Sequence, residues 1–66
     1  MFIKVTEIRD DKCLSFPHYV NLDSIKIIDP ATDFSDTSIT FSDDSIIYVK
    51  ETADEILKQI NRRVEL

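Results

Sequence analysis

Few side chains in this 66-residue chain could carry out chemistry, and none stands in a recognised catalytic arrangement. His18 is the single histidine, and it lies between Pro17 and Tyr19. A histidine that acts as a base needs a nucleophile and an orienting partner within reach, and the sequence indicates no such set. We therefore interpret His18 as a strand-end or loop residue, and we expect neither enzyme activity nor a cofactor.

Cys13 is the single cysteine, so the chain can form no internal disulfide. Near Lys12 and Arg9 it could be a reactive thiol. A lone cysteine in a strand is more often a small buried hydrophobic residue, and we favour this interpretation. The lone cysteine and a first segment without the pattern of a signal peptide together favour the cytoplasm.

Four aspartates in two loops could gather a cation such as Ca²⁺ if the loops met. They are Asp33, Asp36, Asp43 and Asp44. Their spacing differs from that of a calcium-binding loop, and the chain has no glycine for the sharp turn in such a loop. We interpret them as solvated turn residues and expect no metal site.

Three basic residues near the C-terminus, Lys58, Arg62 and Arg63, indicate either a phosphate-binding patch or a complement to the negative end of a helix dipole. The chain carries a net charge of −5, and the excess acid lies in residues 23–45. An acidic chain is repelled by nucleic-acid phosphates. A small nucleic-acid-binding regulator that uses the basic patch is therefore the alternative hypothesis, and the leading prediction includes no nucleic-acid partner.

The elements that position these residues follow from the alternation of polar and apolar side chains. The pattern predicts strands over residues 2–8, 12–16, 25–29, 37–41 and 46–49. Pro17 cannot donate to a ladder, so the second strand must end, bulge or lie at an edge there, with pairing resumed over 19–21 as one option. Residues 22–25 predict a short helical turn or a tight bend. Phe34 is either a plug for the core or an exposed contact.

The turn at Asp43-Asp44 leaves the register of the last hairpin open. A two-residue turn would set Phe41 opposite Ile46 and Ile39 opposite Tyr48. A three-residue loop would instead place Phe41 and Ile39 on the same face as Ile47 and Val49. Because side chains alternate along a strand, a slip of one residue exchanges the two faces.

The residues from Thr52 onward predict one amphipathic helix. Thr52 and Glu55 form a capping box, in which each side chain bonds the backbone N–H of the other residue. The apolar residues recur at helical spacing and form one stripe, which consists of Ala53, Ile56, Leu57, Ile60 and Val64. About 12 helical residues are marginal alone, so this helix must lie on the sheet.

These elements predict a single small α+β domain over residues 1–66. Its five-stranded, mostly antiparallel meander resembles a half-barrel, with one C-terminal helix packed on one face. One helix covers one face, so the other face stays apolar and open. The candidates for the open face are Phe2, Ile28 and either Ile46 with Tyr48 or Ile47 with Val49. We choose Phe2, Ile28, Ile46 and Tyr48 as the predicted interface, because tyrosine among apolar residues is a good anchor.

The short length of the chain favours a partner subunit. A domain of this size buries only about 60% of its unfolded surface and usually needs a disulfide, a metal or an oligomer. We therefore predict a non-enzymatic interaction module that forms a homo-oligomer, with docking onto a larger protein assembly as a further option. The chain has no apolar run of 18 residues, so we expect no membrane insertion.

Five short motifs follow one another along the chain: Ile3-Lys-Val-Thr6, Tyr19-Val-Asn21, Thr37-Ser-Ile-Thr-Phe41, Tyr48-Val-Lys-Glu51 and Thr52-Ala-Asp-Glu-Ile56. This order resembles the FlbD family of short bacterial proteins. Two features depart from the family pattern: Asp43-Asp44 stands where the family has Asn-Gly, and residues 16–18 and 29–36 differ. The resemblance implies a small non-enzymatic protein linked to flagellar motility, and it carries over no catalytic or ligand-binding residue.

Overall fold

The computed structural model describes residues 1–10 and 13–64, with side chains as far as residue 61. The strands are β1 (Phe2–Arg9), β2 (Leu14–Asn21), β3 (Ile25–Asp29), β4 (Thr37–Phe41) and β5 (Ile46–Val49). A 3₁₀ helix spans Leu22–Ser24, and one α-helix, α1, spans Ala53–Val64. The predicted α+β fold is confirmed, and so are the predicted bounds of the last three strands. The predicted start of the second strand at Lys12 lies outside the described residues.

The five strands form one open sheet in the order β2-β1-β5-β4-β3, in which every neighbouring pair is antiparallel. The meander is interrupted because β2 and β3, although consecutive in the chain, lie at opposite edges. Four Cα steps through Leu22–Ser24 join these edges and span at most about 15 Å, whereas five flat strands would hold them about 19 Å apart. The sheet therefore curls, as the predicted half-barrel shape requires, without closing.

The core lies on one face of this sheet, which we call the inner face. Its fully buried apolar side chains are Ile3, Val5, Ile39, Val49 and Ile56. β1, β4 and β5 contribute four of them at alternating positions, and α1 contributes Ile56. The helix thus covers the inner face, and the opposite, outer face is left without a helix.

The β4-β5 hairpin adopts the three-residue loop of the two predicted alternatives. Ile39 lies opposite Ile47, and the backbone N–H of Phe41 donates to the carbonyl of Ser45 at 2.8 Å. Asp44 has a φ of 70°, a left-handed conformation that aspartate tolerates but glycine adopts more readily. This register directs Ile47 toward the core and its two neighbours in β5 toward the outer face.

Replacing Asp44 by glycine is expected to stabilise the protein by roughly 0.5–1 kcal/mol, because it removes the steric cost of the left-handed backbone. The exposed ion pair between Asp44 and Lys26, at 2.9 Å, offsets little of this gain. Asp43→Gly is the matched control. It should destabilise, because the Asp43 carboxylate accepts from the backbone N–H of Ser45 at 3.0 Å and from its hydroxyl at 2.6 Å. Urea unfolding that shows equal effects of the two substitutions would contradict this explanation.

Pro17 lies within β2, which runs unbroken along one edge of the sheet. Lys4 and Thr6 direct their backbone N–H groups away from β2, toward side chains at the helix. Their partners across the ladder, Tyr19 and Pro17, therefore direct their backbone nitrogens toward the free edge. Pro17 costs no ladder bond, and it removes a donor that could recruit another strand. Of the three alternatives for Pro17, a strand end, a bulge or an edge position, the structure shows the edge position.

The side chains of Gln59 on α1 and of Glu51 just before it form hydrogen bonds with β1 at Lys4 and Thr6, where β1 has no pairing with β5. The Gln59 amide donates to the Lys4 carbonyl at 2.8 Å and accepts from the Lys4 N–H at 2.9 Å. Glu51 accepts from the backbone N–H of Thr6 at 2.7 Å and from its hydroxyl at 2.9 Å. These groups take the place of a neighbouring strand and attach α1 to the sheet.

The predicted capping box begins α1. The Glu55 N–H donates to the Thr52 hydroxyl at 3.1 Å, and the Thr52 N–H donates to the Glu55 carboxylate at 3.2 Å. Ile56 of the predicted stripe is fully buried, whereas Leu57 is 47% exposed at the margin of the stripe. The side chain of Val64 lies outside the described residues.

Candidate interaction surface

The outer face of the sheet is nearly free of charge. Its strand positions are Phe2, Lys4, Thr6, Ile8, Ser15, Pro17, Tyr19, Asn21, Ile27, Asp29, Ser38, Thr40, Ile46 and Tyr48. Apart from the exposed Lys26 at the bulge in β3, this face carries one lysine and one aspartate across the described strands, although the whole chain has a net charge of −5. Depletion of charged residues is typical of the core of a protein interface.

Four apolar side chains lie near one another on this face: Ile8, Ile27, Ile46 and Tyr48. We call them the outer apolar patch. Ile46 and Tyr48, two residues apart on β5, are 54% and 47% exposed. Thr40 on β4 pairs with both Ile46 and Ile27 and so lies between them. Ile8 lies on β1 beside Tyr48, one residue beyond the point where β1 pairs with β5.

The structure brings together two of the four predicted interface residues. Ile46 and Tyr48 are neighbours in the outer apolar patch. Phe2 is exposed on the same face, but it is six residues from Ile8 along β1, which is about 20 Å at the rise of a strand. Ile28 packs against the core, so its assignment to the open face is wrong.

A register shift in β3 explains both the error at Ile28 and the omission of Ile27. Strict alternation places Ile25 and Ile27 on one face, but an irregularity between them shifts the pairing by one residue. Ile25 and Ile28 therefore face the core, and Ile27 faces outward. Because all three residues are isoleucine, side-chain type gives no signal for the shift.

A groove of about 800 Å³ opens beside the outer apolar patch. It is lined by residues 7–10, 34–36 and 46–48. Within the described residues, β1 and β5 pair at Glu7 and Val49 alone, and the groove lies beyond this pair. Phe34 is 98% exposed here, which settles the open alternative in favour of an exposed residue.

A polar cluster on the inner face connects β1 to β2. The Glu7 carboxylate accepts from Arg9 Nε at 2.9 Å and from Arg9 Nη2 at 3.1 Å, and it lies 2.8 Å from His18 Nε2. The Arg9 guanidinium lies 4.7 Å from the centre of the Phe16 ring. Among the described residues these contacts include no nucleophilic side chain, and they join two strands.

The hydrogen bond from Arg9 lowers the pKa of Glu7 below its ordinary value; burial opposes this effect, and the hydrogen bond to His18 adds to it. A carboxyl group with a lowered folded pKa stabilises the protein above its unfolded pKa, and the contribution is lost as the pH falls through the folded pKa. We therefore expect the free energy of unfolding to fall below about pH 4.5, the ordinary pKa of the group.

Glu7→Gln should reduce this acid dependence, because the amide does not titrate in this range. The measurement is urea unfolding at neutral pH and at a series of lower values. Asp33→Asn, in an exposed loop, is the control and should retain the wild-type dependence. An unchanged acid dependence in the Glu7 variant would show that this carboxyl group is not responsible.

Cys13 is exposed and lies in the turn before β2. Its backbone N–H donates to the carbonyl of Asp10 at 3.0 Å, and Asp10 has a φ of 56°. The interpretation of Cys13 as a buried strand residue is therefore wrong. The strand begins one residue later, at Leu14.

The remaining sequence candidates form no site in the described residues. No group of three or more His, Cys, Asp or Glu side chains there could hold a metal ion. Lys58 is exposed on α1, and the side chains of Arg62 and Arg63 lie outside the described part. The nucleic-acid alternative therefore gains no support. No described helix has the length and apolar character needed to cross a membrane.

Comparison with known proteins gives one family. Residues 2–65 match the model of the FlbD family, described as flagellar and swarming motility proteins. No curated protein and no solved structure matches the chain. The family match covers nearly the whole chain and confirms the resemblance seen in the five sequence motifs. This chain therefore belongs to the FlbD family of flagellar and swarming motility proteins.

Proposed function

We propose that this protein is a non-enzymatic interaction module in bacterial motility and that it self-associates through the outer apolar patch. The observation that carries the proposal is the patch itself, four apolar side chains on a face that the helix leaves open. Membership of the FlbD family supports the relation to motility.

The small core also favours a partner. The five fully buried apolar side chains of the described residues give a domain of this size little stability beyond the entropy that folding costs. A standard interface buries about 800 Å² on each partner, roughly a sixth of the 4954 Å² that this chain exposes. One sheet face with few charges can supply such an area.

Substitution of Tyr48 by lysine tests the proposal. A lysine in the centre of a dehydrated apolar contact would be an unpaired charge, so we expect self-association to weaken by at least about 30-fold, the equivalent of losing one hot spot of about 2 kcal/mol. Sedimentation velocity at micromolar concentration measures the effect, and circular dichroism checks that the variant is folded.

Tyr19→Lys is the matched control for this experiment. Tyr19 is on the same face and is 72% exposed, but it lies on edge strand β2, outside the outer apolar patch. We expect this variant to self-associate like the wild-type protein. A wild-type chain that stays monomeric throughout the micromolar range would overturn the proposal.

A further inference from the structure

The groove beside the outer apolar patch has the dimensions of a ligand site. Its volume of about 800 Å³ falls within the usual range for such sites, about 300–1,000 Å³. It is open to solvent and lies between the end of β1 and the start of β5. An opening between two strands suits an extended chain, because such a chain can pair with the unpaired edge of a strand.

Backbone groups of β5 face this groove. The Lys50 N–H donates to the Thr6 carbonyl at 2.9 Å, which shows that Lys50 directs its backbone toward β1. Because strand backbones alternate, Ile46, four residues earlier, directs its N–H and C=O the same way. Among the described strands, none pairs with Ile46 on that side. An extended segment could therefore add to β5 by backbone hydrogen bonds.

Phe34 forms an exposed aromatic wall of the groove. Its loop is ordered by Thr32, whose hydroxyl accepts from the backbone N–H groups of Phe34 at 3.1 Å and of Ser35 at 3.2 Å. The Thr32 N–H also donates to the Ser35 carbonyl at 2.8 Å. Because hydrogen bonds fix the turn, contact between the 98% exposed Phe34 side chain and a ligand costs the entropy of that side chain but little backbone entropy.

The charge of the groove indicates which kind of segment it would accept. The lining residues carry three carboxylates, those of Glu7, Asp10 and Asp36, and one guanidinium, that of Arg9. Arg9 and Glu7 pair with each other through two hydrogen bonds, so the lining residues carry a net charge of −2. A second copy of this chain, with its net charge of −5, would bring more acid to the site. A basic segment is electrostatically complementary to it.

We infer that this groove binds an extended segment of a partner protein in which lysine or arginine alternates with apolar residues, and that the segment adds as a strand to the open side of β5. The inference rests on the proposed function of an interaction module. The apolar side chains of the segment contact Tyr48 and Phe34, and its basic side chains lie near the exposed Asp10 carboxylate at the rim.

A synthetic peptide, Lys-Val-Lys-Ile-Lys-Val-Lys with a fluorescent label, serves as the probe, and fluorescence anisotropy measures its binding. The acidic counterpart with Glu in place of each Lys should bind at least about tenfold more weakly, because it repels the rim. Two N-methylated versions of the basic peptide test strand addition, one methylated at the odd-numbered residues and one at the even-numbered residues; we call these the two methylation phases. One version should not bind and the other should bind like the unmethylated peptide, because only alternate N–H groups bond the neighbouring strand.

Phe34→Ala should weaken binding of the basic peptide by about five- to tenfold, the usual effect of truncating an interface anchor, and should leave self-association unchanged. Leu57→Ala, which truncates an exposed apolar residue of α1 away from the groove, should alter neither. Equal affinity for the basic and acidic peptides would overturn the inference, and so would tolerance of both methylation phases. A change in oligomeric state on Phe34→Ala without a change in peptide affinity would assign the groove to a second copy and also overturn it.

The two proposals fail separately. Loss of peptide binding does not affect the comparison of Tyr48→Lys with Tyr19→Lys, which tests self-association alone. Conversely, a monomeric wild-type protein that binds the basic peptide in one methylation phase would overturn self-association and support strand addition at the groove.

Discussion

Ile56→Ala is expected to destabilise the protein by about 2–5 kcal/mol, the usual cost of truncating a fully buried isoleucine. Ile56 is 0% exposed, and it is the α1 residue within the cluster that contains Ile3, Val5, Ile39 and Val49. A chain of this length has a total stability of roughly 3–10 kcal/mol. The substitution should therefore unfold a large share of the molecules or lower the urea midpoint steeply.

Leu57→Ala is the control, because it removes a similar volume from the next residue of the same helix. Leu57 is 47% exposed, so its truncation should cost less than about 1 kcal/mol. Urea unfolding of both variants, followed by circular dichroism, separates burial from helix propensity. Equal losses of stability would contradict the placement of Ile56 in the core.

Glu51→Ala is expected to lower the free energy of unfolding by about 2 kcal/mol. Each hydrogen bond to a charged group contributes about 1.5–3 kcal/mol, and at this partly buried site water replaces part of the lost bonding. The variant leaves the backbone N–H and the hydroxyl of Thr6 without the carboxylate oxygens at 2.7 and 2.9 Å. Hydrogen exchange at the Thr6 amide should accelerate along with the loss of stability.

Glu51→Gln is the conservative comparison. Its amide oxygen can still accept one hydrogen bond but carries no charge, so we expect an intermediate loss of stability. Lys50→Ala, at the exposed neighbouring side chain, should change stability by less than about 0.5 kcal/mol. A Glu51→Ala variant that unfolds at the wild-type urea concentration would show that the carboxylate does not attach the helical region to β1.

Local patterns in the sequence determined much of the fold. Alternation placed β3, β4 and β5, and the pairing of Thr52 with Glu55 marked the start of α1. Both signals depend on residues a few positions apart, so they are visible without the tertiary structure. The missing N–H of Pro17 limited the second strand to an end, a bulge or an edge position at that residue, and the structure places it at an edge.

Features that depend on distant contacts or on backbone geometry could not be predicted. The hairpin register stayed open because Asp43-Asp44 lacks the glycine that marks a tight turn, and the bulge in β3 exchanged Ile27 and Ile28 between the faces. The bonds between Gln59 and Lys4 join residues 55 positions apart. No local pattern signals such a contact.

Sequence reasoning placed the β5 residues on their common face, but it could not give the order of the strands in the sheet. Ile46 and Tyr48 alternate within one strand, so their common face followed once the register was known. Their proximity to Ile8 depends on the pairing of β1 with β5, between strands at opposite ends of the sequence. Sequence reasoning therefore grouped Phe2 with residues that lie about 20 Å away along the sheet.

An NMR dilution series tests the central claim most directly, because it locates the surface through which the molecules meet. Amide signals of ¹⁵N-labelled protein are followed from millimolar to low micromolar concentration. We predict concentration-dependent shifts at Ile8, Ile27, Ile46 and Tyr48, with α1 unaffected. Signals that do not move on dilution of a monomer, or shifts confined to α1 and the loops, would contradict the claim that the outer apolar patch is the contact surface.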